Sequence, residues 1–228
     1  MNHPTVPRRA FLTSVSLTAA GLAAPATLAA ASVAPSTRGD VPRYPQDAWF
    51  DKLPGKHRLL LDATNATEAG GAIGFGWNFL RTSQTGYNLK DADQAVIICL
   101  RHSATLFAIA NEVYQKYPAL ASEKYTHPET ERKVKGGNVF RPGSTNPKSI
   151  DDGFTLDGLA KRGVHFAICG VATRGMASMI AGKGATRDAV EKAMDELVAA
   201  LPENAHVMSS GILAAQRAGE YGYTVIRG

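Results

Sequence analysis

Five short apolar runs punctuate the chain: 57–63 (HRLLLDA), 95–100 (AVIICL), 164–168 (VHFAI), 205–208 (AHVM) and 221–226 (YGYTVI). Their shortness and their β-branched or bulky side chains predict buried strands rather than helices. Between them the apolar positions switch to helical spacing. Asn65 with Glu68 three residues on predicts a capped helix over 65–81. Leu106, Ile109, Val113 and Tyr117 predict a second helix, stopped by Pro118. Leu156 and Leu159 place a short one over 154–162, with Gly163 as its end. Residues 171–181, 186–201 and 209–218 supply three more, and 186–201 carries Val190, Ala193, Leu197 and Leu201 on one face.

Strands that alternate with helices in this way need helical crossovers between parallel neighbours. The expected fold is therefore a three-layer α/β/α sandwich around a mostly parallel five-stranded sheet, its strand order open. The domain spans 57–228. Two stretches depart from the alternation. Residues 35–56 set Pro35, Pro42, Pro45 and Pro54 around Trp49 and Phe50, which predicts an extended N-terminal arm with an aromatic anchor. Residues 118–153 are polar and rich in Lys, Gly and Asn, which predicts a solvated insertion or a lid over the sheet edge.

Residues 1–34 stand apart. Arg8 and Arg9 precede Ala10, Phe11 and Leu12 and an uncharged run of small residues, the pattern of a twin-arginine export signal. Such a signal implies passage through the twin-arginine translocase and a periplasmic or otherwise exported destination. Pro25 and the many Ala, Ser and Thr residues argue against a spanning helix. Composition adds little: the formal charge of +5 falls to +3 once Arg8 and Arg9 are removed, and no dense basic cluster supports nucleic-acid binding.

Candidate chemistry gathers at the carboxyl edge of the predicted sheet, where open α/β folds place their ligands. Asn65 follows the first strand, His102 the second, and Cys169 the third. A thiol just before a helix start meets the partial positive charge of free backbone N–H groups, which favours thiolate. Arg174, about a turn into that helix, and a protonated His102 would reinforce the effect. Bland readings stand beside each residue: Cys169 as a small buried hydrophobe, His102 as a helix-entry residue, Arg174 as a surface charge. Cys99, inside an apolar strand, reads as core; His165 and His206 read as structural. Other chemistries find no support. Gly74 and Gly76 fit a dinucleotide fingerprint but Phe79 occupies its third glycine. Cys169 and His102 fall short of a metal set, and no Gly-x-Ser-x-Gly elbow is present. No cofactor or metal is expected.

The strand ending at Cys169 with Ala172, Arg174 and Gly175 after it, the helix end at 159–163, the His102 turn, Asn146-Pro147 and the Ser210-Gly211 to Tyr223 segment together resemble the DsrE/DsrF-like family of sulfur-relay proteins. The resemblance covers roughly 57–226. It implies a five-stranded parallel α/β domain, a homo-oligomer, and sulfane sulfur carried as a persulfide on Cys169. Its partners would be a small sulfur compound or a sulfur-donor or acceptor protein. The alternative is a non-catalytic module of the same fold that binds a small molecule or a partner.

Overall fold

The structure is a computed structural model, and it describes residues 42–121, 138–141 and 154–228. The expected twin-arginine signal, residues 1–34, lies outside the described residues. Among the described residues no helix is long and apolar enough to cross a membrane.

Five strands, β1 (His57–Ala63), β2 (Gln94–Leu100), β3 (His165–Cys169), β4 (Ala205–Met208) and β5 (Thr224–Arg227), form one sheet in the order β4-β3-β2-β1-β5. Every pairing is parallel. Helices α1 (Ala48–Lys52), α2 (Ala66–Tyr87), α3 (Asn111–Lys116), α4 (Leu156–Lys161), α5 (Gly170–Ala181), α6 (Arg187–Ala199) and α7 (Gly211–Glu220) complete it. The three-layer sandwich expected from the alternation is the fold observed.

Strand alternation sorts the core into two. Leu59, Leu61, Val96, Ile98, Phe166 and Ile168 face one side and pack with α2 to α6. Leu60, Ala95, Ile97, Cys99 and Ala167 face the other, under Ala214, Ala215 and Ala218 of α7 and Phe50 of α1. The division follows from the connections. The segments joining β1 to β2, β2 to β3 and β3 to β4 each move one strand along the sheet, so right-handed crossovers put them on the same face. From β4 the chain returns past three strands to reach β5, and α7 crosses on the opposite face.

Local boundaries differ from the sequence reading where tertiary contacts override periodicity. Helix α2 runs on to Tyr87, where Asn88 turns left-handed at φ 55°. The helix expected from Ser103 to Tyr117 is instead a 3-10 turn over His102–Ala108 followed by the short α3. Residues 104–109 are buried, and extended backbone at Ile109 breaks the run. The last strand begins at Thr224 rather than Tyr221, because Tyr221 closes α7 and Gly222 turns at φ 84°.

Two connecting segments carry more structure than their composition suggests. The arm is not extended throughout, since a 3-10 turn over Pro45–Asp47 leads into α1. Phe50 is buried, and its carbonyl accepts hydrogen bonds from Arg58 at 2.8 Å and the Tyr223 hydroxyl at 2.9 Å. Asp47 takes the Arg217 guanidinium at 2.7 Å, with both side chains enclosed. The insertion corrects the expectation of a solvated loop at 138–141, which is buried. There the Asn138 amide donates to the Phe107 and Ile109 carbonyls, and Arg141 reaches Asp157 and the Ala108 and Ala200 carbonyls. Val139 and Phe140 join the larger core. The rest of the polar insertion, 122–137 and 142–153, lies outside the described residues.

Candidate functional site

Cys169 is the last residue of β3 and the N-cap of the twelve-residue α5. Its thiol is free and 7% of the residue is exposed. What distinguishes the position is the pair of loops around it. After β3 the chain turns to the α5 face; after β4, its neighbour, the chain turns to the α7 face. Adjacent strands whose following helices diverge leave a crevice between their ends, the usual ligand position in open α/β sheets. Here Cys169 pairs in register with Met208. A cavity of about 400 Å³ lies next to that pair, lined by Gly170, Val171, Arg174, Met194, Val207, Met208 and Ser209; Cys169 adjoins it through Gly170 and Met208 and is not itself among the lining residues. Gly170 is required there, because a Cβ would stand 2.6 Å from the Met208 carbonyl oxygen. Strand β4 therefore lies close against the start of α5, whose unpaired N–H groups favour negative charge.

The residues the sequence assigned to this thiol are distributed rather than gathered. Arg174 lines the cavity, but its guanidinium grips Glu191 of α6 through two bonds of 2.9 and 3.2 Å, which raises its pKa and offsets its charge. His102 is exposed and adopts φ 55° at the head of the 3-10 turn. Asn65 lies two strands from β3 and is occupied with α2, its side chain accepting the Glu68 N–H at 3.0 Å. Glu68 in turn accepts from the Thr64 N–H at 2.7 Å and from Arg227. Burial opposes its ionisation, yet these bonds hold its carboxyl down at about 2. The capping reading of this segment is thus correct, and it leaves Asn65 at the edge without a part in the Cys169 crevice.

Cys99 is core, as expected. It is fully enclosed on the α7 face, its thiol 3.5 Å from the Gly211 carbonyl. Burial, with the nearby Asp62 carboxylate, pushes that thiol far above its ordinary value. Register sets Cys99 beside Ala167, so Cys169 lies diagonally one strand over on the same face. Among the described residues no three His, Cys, Asp or Glu side chains group to hold a metal ion.

Sequence reasoning missed the strongest polar feature of this edge. Asp62, at the end of an apolar strand, and Arg101, just past β2, form a two-point ion pair with both distances 2.8 Å. The Arg101 side chain crosses the start of α7 so closely that a Cβ at Gly211 would collide with it. A lone acid directly after the Leu59–Leu61 run was the available signal, since a buried carboxylate requires a partner. His165 and His206 were also separate in the sequence reading. The structure joins them, Nδ1 of His165 lying 2.9 Å from Nε2 of His206.

No family model matches the chain. No curated protein matches it. A solved structure, the protein of unknown function MTH1491 from Methanobacterium thermoautotrophicum, is similar over 76% of this chain and 100% of that one, with 16% identity and a TM-score of 0.35.

Proposed function

We propose that the protein handles sulfane sulfur as a persulfide on Cys169. The observation that carries this reading is the thiol's place at the divergence of the loops after β3 and β4, beside a cavity of about 400 Å³ and at the amino end of α5. In the simplest loading reaction the Cys169 thiolate attacks the outer sulfur of thiosulfate. The thiosulfate S–S bond breaks, sulfite leaves with the electron pair, and Cys–S–S⁻ remains. The amino end of α5 favours the negative charge on entry and on the product. Cys99 is a poor resolving thiol, being enclosed and held protonated, so a persulfide would not be lost at once to an internal disulfide. His102 and Arg174 stand at the same edge as polar groups that could meet an incoming anion; Asn65 supports the edge by capping α2. The sequence's resemblance to the DsrE/DsrF-like sulfur-relay family, some members of which carry a persulfide at the position of Cys169, supports this reading, although those relay members are cytoplasmic and this chain carries an export-type signal.

The 7% exposure of Cys169 favours one second reading, a binding module that uses the crevice without thiol chemistry. Incubation with thiosulfate or polysulfide, followed by non-reducing intact mass and peptide mapping, separates the two. The proposal expects added sulfur on Cys169 that is lost in Cys169→Ser and kept in Cys99→Ser. Unmodified Cys169 in folded protein would reject it in favour of the module.

A further inference from the structure

Strands β3 and β4 start on the α7 face with a pair of imidazoles. His165 and His206 face each other through Nδ1 and Nε2 at 2.9 Å, their planes 7° apart and their centroids 5.2 Å apart. These figures decide what the pair can hold. A ring centroid lies about 1.1 Å from its nitrogens, so coplanar rings meeting edge to edge through a straight N–H···N bond would show this centroid separation. A metal ion on that line would need roughly 4 Å between nitrogens at the usual metal–imidazole distance of about 2.0 Å. The site fits a proton.

Trp49 of α1 covers the pair. Its ring stacks on His206 at 3.9 Å and 9°, and on His165 at 6.2 Å and 13°. Its indole N–H is enclosed and has no partner. Beside the stack lies a cavity of about 440 Å³ lined by Gln46, Trp49, Leu201, Pro202, His206 and Met208 among others. Charged groups on the surrounding elements are otherwise engaged or exposed. Asp47 is paired with Arg217, Asp51 with Arg43 at 3.6 Å, and Lys52 and Glu203 are exposed.

We propose that His165, His206 and Trp49 form an acid-operated latch that seats the N-terminal arm on the sheet. With both imidazoles neutral, one facing nitrogen donates and the other accepts. A first added proton goes to a nitrogen outside the shared bond; the bond survives and becomes charge-assisted. A second proton has only the facing acceptor to occupy. Both facing nitrogens then carry hydrogen, the bond is lost, and two cations lie 2.9 Å apart beneath the indole. Trp49 leaves, while Phe50 and the Asp47–Arg217 pair keep the arm attached. Burial, and for His206 also the neighbouring His165, lowers both pKa values, His206 to about 4, so the latch is closed at neutral pH.

The test is a reversible pH titration of Trp49 emission in a Trp77→Phe background, with far-UV circular dichroism followed in parallel. The latch predicts a red shift near pH 4 while the circular dichroism holds, and loss of that step in His206→Gln and His165→Gln, which bond without titrating. An unchanged step in those variants, or an emission change only together with loss of secondary structure, overturns it. Imidazole proton shifts in the unsubstituted protein provide a check that needs no variant. Two histidines titrating independently at ordinary values would overturn it equally.

Discussion

On the face of the sheet bearing Leu59, Leu61, Val96, Ile98, Phe166 and Ile168, helices α2 to α6 enclose one continuous apolar core. Among the described residues the opposite face is covered by the ten-residue α7 and the arm's short helix, and its core is much smaller. Asp62, Cys99, His165, Cys169 and His206 all belong to the thinly covered face, as their shared registers with Ala167 and Met208 require. A thick helical layer leaves no room for an ionisable side chain without a partner, whereas the thin layer is held by polar pairs that can also do chemistry. The thick face also carries a buried ion pair, Arg141 with Asp157, so what sets the thin face apart is that its thiols and its joined imidazoles lie on the strands themselves under a short cover.

The sharpest challenge to that division is Phe50→Ala. Removing a fully buried ring that meets Tyr221 and Tyr223 should cost about 3–5 kcal/mol in denaturant unfolding. A cost below about 1 kcal/mol would make the arm a passive strap, and the thin face would need another source of stability. Asp47→Ala comes next, at about 3 kcal/mol, because it strands the enclosed Arg217 charge with Glu220 as its remaining acid.

Acid should weaken the thin face and the sheet margin together. Both histidines have lowered pKa values in the fold, so their contribution is complete above the ordinary histidine value of 6.5 and declines as pH falls toward about 4. Glu68, lowered to about 2, contributes fully above 4.5 and loses that contribution as pH falls through 2. Melting temperature against pH should thus fall in two windows. His206→Gln should flatten the upper window and Glu68→Gln the lower.

The thiols supply a finer comparison within one face. Iodoacetamide should label Cys169 in the native protein and reach Cys99 only on unfolding, which peptide mapping over time would resolve. Equal labelling would remove the distinction between the enclosed thiol and the one at the crevice. Arg174→Ala is the mildest change. With Glu191 offsetting its charge in solvent, it should alter the Cys169 labelling rate by less than about threefold and leave the melting temperature unchanged.

Read alone, the chain determines its five strands in order and most of the helices between them, because strand and helix periodicities are local; the arm and the segment after β2 departed from that reading where tertiary contacts prevailed. It also places Cys169 at a strand end before a helix and marks Cys99 as core, since each follows from a few neighbouring residues. What the tertiary structure decided are the pairings across long separations. Asp47 meets Arg217 and Asp62 meets Arg101, and His165 meets His206 under Trp49. The order β4-β3-β2-β1-β5 sets the crevice at Cys169 and leaves Asn65 two strands away. No local pattern encodes these contacts. A buried charge announces only that it needs a partner, and which partner it finds depends on how the strands are ordered and which face each crossover covers.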